Sequence, residues 1–489
     1  MGRISPTNIS TRMQQILIFI VLVSLPAYLI RFEVFGIPTT LLEMGIYAVA
    51  CLPLLYNENP LRHLADGGGV RWKKRFAEMF HLFKPYLWPL LLWLGMTTVS
   101  AIVSATYGDW MLGFGILKGW FFDPLLLTWV VMACRDVAVP RLRGNVPGGD
   151  APARRLYNMR LLLATGLLAS ALIISAYGLF DYMMGWTRDG RLDAFFKTSN
   201  YVSMFIVPVL ILGVGMIVET PPWGVSVARW KSALMIIVMI MITTALILTN
   251  SFGGWISALI GVVVFFVFFL RHQTPPSCPS SHHKDGAQQE GSDRRPPLLY
   301  KERVGVRCWR IVFILISLMV LGAFVWYGLP RHFTHRNEFF NVTSSQLRQN
   351  LWRVAGDMVQ THPILGVGLG RFQKELPILI KQKPHLLTVQ TILVDFHLPH
   401  NLYLTIASES GLIALLGFLW FIGLWLWRGA KQYISTRDPI LLGALCAMLT
   451  ILIHGFVDTP YFKNDLSILF WIVVVIGVLS SSERKYTVL

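Results

Sequence analysis

Charged residues are scarce in this chain, and cysteines are few. Only 14% of the 489 residues are charged, whereas 54% are hydrophobic, and this balance excludes a soluble globular protein of that length. The five cysteines fall in apolar runs or on the side predicted to be cytoplasmic, so we expect no disulfide. The composition therefore indicates a membrane protein.

Twelve apolar runs are long enough to cross about 30 Å of hydrocarbon as helices. The first run is followed by another and lacks a small-residue cleavage site, so we expect a span and not a cleavable signal peptide. The sequence thus predicts an all-α, polytopic membrane protein with about twelve transmembrane helices. The runs begin near Gln15, Gly36, Pro85, Phe121, Arg160, Tyr201, Lys231, Gly253, Ile311, Leu402, Ile440 and Leu466.

The net charge of +17 would suggest a nucleic-acid partner, but the distribution of the basic residues gives another explanation. With the N-terminus inside, most of the 43 Lys and Arg residues fall in cytoplasmic segments, as the positive-inside rule requires. We therefore expect a lipid bilayer around the protein, both termini on the cytoplasmic side and no nucleic-acid partner.

Two segments interrupt the series of spans. Residues 272–306 are rich in Pro, Ser, His and Gly, which predicts a disordered cytoplasmic insertion within spans one to nine, residues 1–329. The spacing of Cys278, His282, His283 and Cys308, in and just after this insertion, matches no zinc pattern, so we expect no metal site there. Residues 330–400 form the one long outer connection, an extracytoplasmic loop expected to hold the catalytic residues, and residues 401–489 supply spans ten to twelve.

The first half of the 330–400 loop has the pattern of an amphipathic helix. Thr343 and Gln346 form a capping-box pair, and an apolar stripe follows before His362-Pro363 ends the helix. Arg348 lies beside the stripe, whereas Arg353 points elsewhere on the helix. A helix on the membrane surface would thus direct the Arg348 guanidinium into a cavity below it. The stripe consists of Leu347, Leu351, Ala355 and either Met358 or Val359.

The second half of the loop carries a run of glycines and then a histidine. The glycines of residues 366–370 permit a close backbone path, although such a run alone is weak evidence for phosphate binding. His400-Asn401 stands where the loop returns to the membrane, and a titratable group at that depth is a functional candidate. Glu409, farther along the tenth span, either pairs with a neighbouring hydroxyl such as that of Ser408 or Ser410 or is functional.

Arginines and a histidine at the level of the lipid headgroups suit the transfer of a sugar from a lipid-linked donor. Breaking the glycosidic bond leaves negative charge on a pyrophosphate, and the planar fork of arginine binds phosphate oxygens bidentately. A neutral histidine is suited to accept the proton of the acceptor hydroxyl. The chain has no Asp-x-Asp pair to hold a divalent cation on a nucleotide sugar. The chemistry therefore favours a lipid-linked donor and transfer without metal or other cofactor.

Two blocks, residues 362–372 and 399–412, together resemble the O-antigen ligase and O-antigen polymerase family of bacterial membrane glycosyltransferases. The family's histidine motif is His, then Asn, Ser or Gln, nine residues, Gly, two residues, and Gly, Thr or Tyr. His400, Asn401 and Gly411 match this motif, whereas Ala414 departs from its last position. Arg348 resembles the loop arginine of the family.

The resemblance extends to two shorter segments. The stretch from Gly190-Arg191 to Asn200-Tyr201 is similar to a motif that begins the sixth span of the family. Asp458, in the short last outer connection, stands where the family often has an acidic residue. From the residues alone, Asp458 is equally suited to cap the eleventh helix, to pair with His454 or to take part in function.

The resemblance implies a site and a reaction. Glycan would pass from an undecaprenyl-pyrophosphate carrier to the lipid A core, a growing polysaccharide or a protein, outside the bacterial cytoplasmic membrane. Arg348 and His400 would be catalytic, and the substrate-binding residues would be drawn from Arg191, Arg353, Arg371, Asn401, Glu409 and Asp458.

One departure from the family concerns the donor site. The family usually has a Ser-Arg pair at the outer start of the eighth span, where this chain has Ser251-Phe252. Either Arg191, Arg353 or Arg371 supplies the second positive charge, or the donor site is modified, or the protein is inactive.

Two alternatives to a ligase remain. One is a polysaccharide polymerase of the same family, and the other is a twelve-span transporter or flippase of lipid-linked sugars. A transporter would show related halves, broken helices and charges near the midplane of several spans. We expect instead intact spans, with polar residues gathered on one outer loop, and this favours the enzyme.

Overall fold

The computed structural model describes residues 6–34, 37–55, 80–134, 151–219, 226–271, 344–387 and 398–487. Helices make up most of this part of the chain. The predicted insertion 272–306, the predicted ninth span, Thr343 and His397 lie outside the described residues. Helices one to seven are α1 (Pro6–Val23), α2 (Leu41–Leu55), α3 (Leu87–Thr106), α4 (Trp110–Leu117), α5 (Asp123–Cys134), α6 (Ala151–Met183) and α7 (Ser199–Glu219). The others are α8 (Ser226–Leu248), α9 (Phe252–Arg271), α10 (Ser344–Thr361), α11 (Phe372–Gln382), α12 (Leu402–Thr436), α13 (Pro439–His454) and α14 (Asn464–Thr487).

The helical architecture and the membrane character agree with the sequence prediction. Each apolar stretch coincides with one of the predicted runs, and the remaining run, near Ile311, lies outside the described residues. The count of twelve spans therefore stays a prediction. Six described stretches are long and apolar enough to cross a membrane: Phe80–Thr106, Trp110–Cys134, Asn158–Met183, Ser199–Glu219, Phe252–Arg271 and Leu402–Thr436. Five shorter apolar helices accompany them: Met13–Val23, Leu41–Cys51, Ala233–Leu248, Pro439–His454 and Asn464–Ser480.

A small β-hairpin departs from the all-α prediction. Strands β1 (Arg31–Val34) and β2 (Ile37–Thr40) pair antiparallel between α1 and α2. Val34, Ile37 and the two threonines of β2 are β-branched, and such residues favour extended backbone. The second predicted span consequently begins at Leu41 and not near Gly36.

The fourth predicted span also differs from its prediction. The helical stretch begins at Trp110, well before Phe121, and it is not continuous α-helix. A π-helical turn at Lys118–Phe122 separates α4 from α5. Short π segments within helices are uncommon and often occur at functional sites.

Glycines allow the central helices to approach closely. A Cβ atom added to Gly215 of α7 would lie 2.6 Å from the carbonyl oxygen of Pro439, at the start of α13. Helix α7 is apolar on all sides and buried along almost its whole length. Small residues at such crossings let two backbones pack where lipid offers no hydrophobic driving force. Helix α7 thus forms the centre of the bundle, and its first turn reaches the candidate site.

Contacts between connecting segments follow the predicted sides of the membrane. Segments predicted to be extracytoplasmic meet one another through the pairs Leu192–Leu248, Asn200–Asp458, Leu402–Gly455 and Arg371–Asp109. At the opposite end of the bundle, Arg160 of α6 binds Asp438 and Ser480, which are both predicted to be cytoplasmic. These contacts separate the two groups of segments to opposite ends of the bundle, while the membrane topology and the compartment that each end faces stay predictions.

Candidate active site

The carboxylate of Asp458 joins segments that are far apart in the sequence. Its Oδ1 lies 3.0 Å from Nδ1 of His400 and accepts a second hydrogen bond of 3.0 Å from the Thr459 backbone amide. Its Oδ2 accepts a hydrogen bond of 3.0 Å from the Asn200 side-chain amide, and Nη2 of Arg348 lies 3.9 Å from the same oxygen. Only 1% of Asp458 is exposed. We call Asp458, His400, Asn200 and Arg348 the Asp458 cluster.

The charges around Asp458 keep its carboxylate ionised. Burial by itself would raise the pKa of Asp458, but the neighbouring His400, Arg348 and His454 outweigh it, so the pKa lies below its ordinary value. An ionised carboxylate only accepts hydrogen bonds. The Nδ1 atom of a neutral His400 ring therefore carries the hydrogen, and Nε2 is the basic nitrogen.

The backbone at His400 and Asn401 explains how the histidine reaches Asp458. His400 has a φ of 51°, the left-handed region that few non-glycine residues adopt, and such strain is common at functional sites. Asn401 is extended and caps α12, because its side-chain oxygen accepts a 2.9 Å hydrogen bond from the Leu404 amide. Its Nδ2 donates to the Phe456 carbonyl at 2.9 Å. Asn401 thus binds the 455–459 turn to the start of α12 and positions His400 opposite Asp458.

Helix α10 confirms the predicted amphipathic pattern. Leu351, Ala355 and Met358 are fully buried, and they pack with Val367, Phe372 and Leu376. Arg348 is 22% exposed at the edge of this apolar face and reaches towards Asp458. Arg353 is exposed on another side of the helix. The predicted difference between the two arginines is therefore observed, and only Arg348 joins the Asp458 cluster.

Helix α12 is broken at Gly411, where φ is 88° and ψ is 166°. The break leaves backbone groups of the helix without helical partners, and the glycine run of the loop supplies replacements. We call this contact the glycine joint. The amides of Val367 and Gly368 donate to the carbonyls of Ser408 and Glu409 at 2.8 and 3.1 Å, and the Leu412 amide donates to the Pro363 carbonyl at 2.8 Å.

Only glycine fits at the centre of the joint. A Cβ atom on Gly411 would lie 1.9 Å from the Ile364 carbonyl oxygen, and one on Gly366 would lie 2.3 Å from the Glu409 carbonyl carbon. Both glycines also have a positive φ, which other residues adopt at a cost. Since the amides of residues 367 and 368 are bonded to the helix, they are not available to bind phosphate. The glycine run is therefore a structural contact that fixes the loop on α12.

Glu409 belongs to this joint and is almost fully buried, with 1% exposed. Its Oε1 accepts a long 3.4 Å hydrogen bond from the Phe372 amide, at the start of α11. A carboxylate at a helix N-terminus is favourably placed. The hydroxyl of Ser408 donates to the Leu404 carbonyl at 2.7 Å, so Ser408, one of the hydroxyls considered as a partner of Glu409, bonds elsewhere.

The other predicted arginines have partners of their own. Arg371 is buried, donates a 2.8 Å hydrogen bond to Asp109, also binds Glu375, and lies 3.7 Å from the centroid of the Tyr107 ring. Arg191 binds Asp189, two residues earlier, on an exposed connection. None of these bonds reaches Asp458.

Sequence reasoning missed the bond of Asn200 within the Asp458 cluster and the neighbouring Lys463, whereas it named His454 as a possible partner of Asp458. Asn200 was seen only as part of a motif at the start of the sixth span, and its bond to Asp458 was not expected. His454 is buried close enough to Asp458 to affect its pKa. The ammonium of Lys463 lies 3.0 Å from the centroid of the Tyr201 ring, and Tyr201 follows Asn200 in the sequence. The position of Lys463, five residues after Asp458 in the same short connection, was the one available signal.

Comparison with known families identifies the central part of the chain. Residues 236–419 match the family model of the O-antigen ligases, and this region contains Arg348, His400 and Gly411. Asn200, Asp458 and Lys463 lie outside the match and are brought to it by the fold. Among curated proteins, none matches the chain. This chain is therefore a multi-pass membrane protein in which residues 236–419 are similar to the O-antigen ligases.

Proposed function

We propose that this protein transfers a glycan from a polyprenyl-pyrophosphate carrier to an acceptor on the extracytoplasmic side of the bacterial cytoplasmic membrane. The observation that carries the proposal is the arrangement of His400 and Arg348 on the two oxygens of Asp458. A base and a permanent cation held by one buried carboxylate suit the transfer of a group that leaves as an anion.

His400 acts as the general base in this proposal, and Asp458 acts through it. The Nδ1 hydrogen bond to Asp458 orients the ring and directs Nε2 to the acceptor hydroxyl. The ionised carboxylate also stabilises the imidazolium that forms when Nε2 takes the proton. The side chain of His400 is 29% exposed, so substrate has access to the ring.

The proposed step is a displacement at the anomeric carbon of the donor. The acceptor hydroxyl loses its proton to Nε2 of His400, while its oxygen forms a bond to the anomeric carbon. The bond from that carbon to the phosphate oxygen breaks, and its electron pair stays with the pyrophosphate. The guanidinium of Arg348 stabilises this charge with paired hydrogen bonds. One contact at 3.9 Å leaves most of the five N–H donors of Arg348 for the substrate.

The transporter alternative depended on broken helices, and the expectation of intact spans was wrong. Helix α12 is broken at Gly411, and a π turn separates α4 from α5. Unwound helices in transporters coordinate substrate or ions with their free backbone groups. At Gly411 these groups bond to the backbone of the chain's own loop. The break in α12 therefore supports a fixed loop above an enzyme site more than a transport path.

An assay of purified protein in lipid nanodiscs, with an undecaprenyl-pyrophosphate-linked glycan, tests the proposal. Acceptors are supplied separately as lipid A core, glycan-bearing carrier and protein, because a ligase, a polymerase and a protein-modifying enzyme would share this site. His400→Ala should lower turnover about a hundredfold or more, while the protein stays folded and still binds the donor. The exposed His385 of the same loop provides the control, and His385→Ala should leave turnover unchanged. Wild-type turnover in His400→Ala would overturn the catalytic role.

Arg348 is tested in the same assay against Arg353, which is exposed on the same helix. Arg348→Ala should abolish most transfer, and Arg348→Lys should restore little because lysine does not bind phosphate bidentately. Arg353→Ala should be nearly silent. Equal loss in both alanine variants would show that the charge of the helix matters and not the position of Arg348. Flipping of labelled donor across proteoliposomes, without transfer, would favour the transporter.

A further inference from the structure

Lys463 belongs to the connection between α13 and α14, and its ammonium lies in a cage of aromatic rings from other segments. Its Nζ lies 3.0 Å from the centroid of the Tyr201 ring and 5.5 Å from that of Phe196, and it donates a 3.2 Å hydrogen bond to the Tyr28 hydroxyl. Within the described part of the chain, no carboxylate forms an ion pair with this ammonium. The residue is partly exposed. The cage thus holds a positive charge on a residue that keeps part of its surface exposed.

The positive charge of Lys463 is incompletely compensated. Burial lowers the pKa of Lys463, Asp465 and Asp458 raise it, and Arg31 and Lys197 lower it, so that the resulting pKa is about 8. Tyr28 and Tyr201 contact the ammonium as neutral groups, because burial raises the pKa of Tyr28 well above its usual range. A bound anion would restore the balance and raise the pKa of Lys463.

The cage is adjacent to the Asp458 cluster. Asn200 and Tyr201 are consecutive in the first turn of α7, and Asn200 binds Asp458 while Tyr201 carries Lys463. A helix N-terminus favours negative charge, so α7 adds to the attraction. Arg348 approaches the same carboxylate from α10. Two cations, from Arg348 and Lys463, therefore flank the first turn of α7.

The start of α9 lies beside the same turn. A Cβ atom on Gly253 would lie 3.0 Å from the ring of His454 and 2.6 Å from Val457, so residues 251–252 lie beside the 454–458 turn. Ser251 is hydrogen-bonded to Ser203 of α7 at 2.9 Å. Phe252, the first residue of α9, brings no charge to this position.

We propose that Lys463 is the second cation that binds the pyrophosphate of the lipid-linked donor, beside Arg348. The inference rests on the proposed transfer from a polyprenyl-pyrophosphate carrier, and it assigns part of the donor site. The recognised chemistry is a diphosphate. The ammonium contributes charge but no bidentate geometry, so Arg348 fixes the orientation and Lys463 adds attraction.

Binding of undecaprenyl pyrophosphate to the full-length protein in nanodiscs tests the inference without requiring turnover. Lys463→Gln should weaken binding about ten- to a hundredfold, the range for removing one hydrogen bond to a charged group. Lys463→Arg should bind nearly as well as the wild type. The double variant Phe252→Arg/Lys463→Gln should regain part of the loss, because it places a cation beside the same turn. Lys381→Gln, at an exposed lysine of α11, is the matched control.

Two further probes separate the sources of the diphosphate. Lys463→Gln should lower the affinity for undecaprenyl monophosphate much less than the affinity for the diphosphate carrier. The monophosphate has a single phosphate, which binds Arg348, and no second phosphate for Lys463. If inorganic pyrophosphate binds the wild type as well as the carrier does, the site recognises free diphosphate and not a lipid headgroup, and the donor assignment is overturned.

The pH dependence of binding gives a readout that a purely structural lysine would not change. The ammonium is charged below its pKa of about 8, so wild-type affinity should fall as the pH rises from 7 to 9. In Lys463→Arg, affinity should stay level, because arginine remains charged. The same slope in both proteins would overturn the proposal even if Lys463→Gln failed to fold.

The outcomes for the inference and for the proposed function are distinct. Equal carrier binding by the wild type and Lys463→Gln, both monodisperse, would overturn the role of Lys463 and leave transfer by His400 and Arg348 intact. A wild type that binds no carrier would overturn both.

Discussion

The long loop meets α12 at two places, and the two contacts are made of different atoms. At the Asp458 cluster, side chains from four segments converge, with His400 and Arg348 partly exposed. At the glycine joint, backbone bonds to backbone, and Glu409 is almost completely buried. Both contacts contain residues that the sequence marked as functional. Residues that resemble a family motif can therefore have a structural role, as Gly411 has at the joint, or be candidates for the chemistry, as His400 is at the cluster.

The largest effect is expected from a change at the joint. Gly411→Ala places a Cβ atom 1.9 Å from the Ile364 carbonyl in a conformation that strongly disfavours alanine, and should cost about 3 kcal/mol or more. Thermal unfolding in detergent should show a large loss of stability, and transfer should disappear with the folded protein. Gly423→Ala on the same helix is the control, since nothing lies within 4 Å of its added Cβ. A stable and active Gly411→Ala variant would contradict the importance of the glycine joint for stability.

A change at the cluster should remove activity and keep the fold. Asp458→Asn leaves an amide that does not fix the tautomer of His400 or stabilise its charged form, so turnover should fall about a hundredfold. Thermal unfolding and donor binding should change little by comparison. Asp189→Asn, on an exposed connection, is the control. Equal loss of stability in Asp458→Asn and Gly411→Ala would erase the distinction between the two contacts.

The stability contributed by Asp458 should depend on pH in a definite direction. Because its folded-state pKa lies below the ordinary value, its contribution is complete above the unfolded pKa of about 4 and is lost as the pH falls through the folded pKa. The difference in free energy of unfolding between the wild type and Asp458→Asn should therefore shrink below about pH 4. A difference that is constant down to pH 3 would contradict the ionised state.

The smallest effect is expected from Glu409→Gln. Glutamine keeps the oxygen that accepts from the Phe372 amide, so activity should stay within about twofold and stability within about 1 kcal/mol. Glu409→Ala removes that acceptor and should cost about 1–3 kcal/mol. A large loss of turnover in Glu409→Gln, with normal unfolding, would make Glu409 catalytic and move it from the joint to the active site.

Local patterns predicted the helices well, because each apolar run or stripe depends on neighbouring residues. The stripe of α10 and its end at His362-Pro363 were read correctly from spacing and from proline. The break at Gly411 was not predicted, because the residues on either side of it continue the pattern of an apolar helix. Its cause is the loop that packs against the helix at that point. The strands β1 and β2 were missed because they are only four residues each.

The candidate site was predicted in its residues but not in its connections. His400 and Asp458 are separated by 58 residues, and no pattern in the sequence fixes their distance. The sequence left three possibilities for Asp458: a helix cap, a pair with His454 or a functional role. In the structure its carboxylate is bonded to His400. Asn200 and Lys463 join the site through the approach of α7 to the 455–463 connection, which is a property of helix packing. Arg371 carried the right charge, but Asp109 and Glu375 bind it elsewhere.

The glycine joint also has a consequence for the proposed reaction. Carbonyl groups of α12 have no water to bind within the bilayer, so separating residues 363–368 from the helix would leave them unsatisfied at a cost of several kcal/mol. Residues 363–368 should consequently stay on α12 and should not open and close as a lid. If the proposed transfer is correct, we expect Arg348 to hold the same position before and after the donor binds, so that its charge is in place before the reaction. The lipid-linked donor that we propose would then reach Arg348 by diffusion in the plane of the membrane.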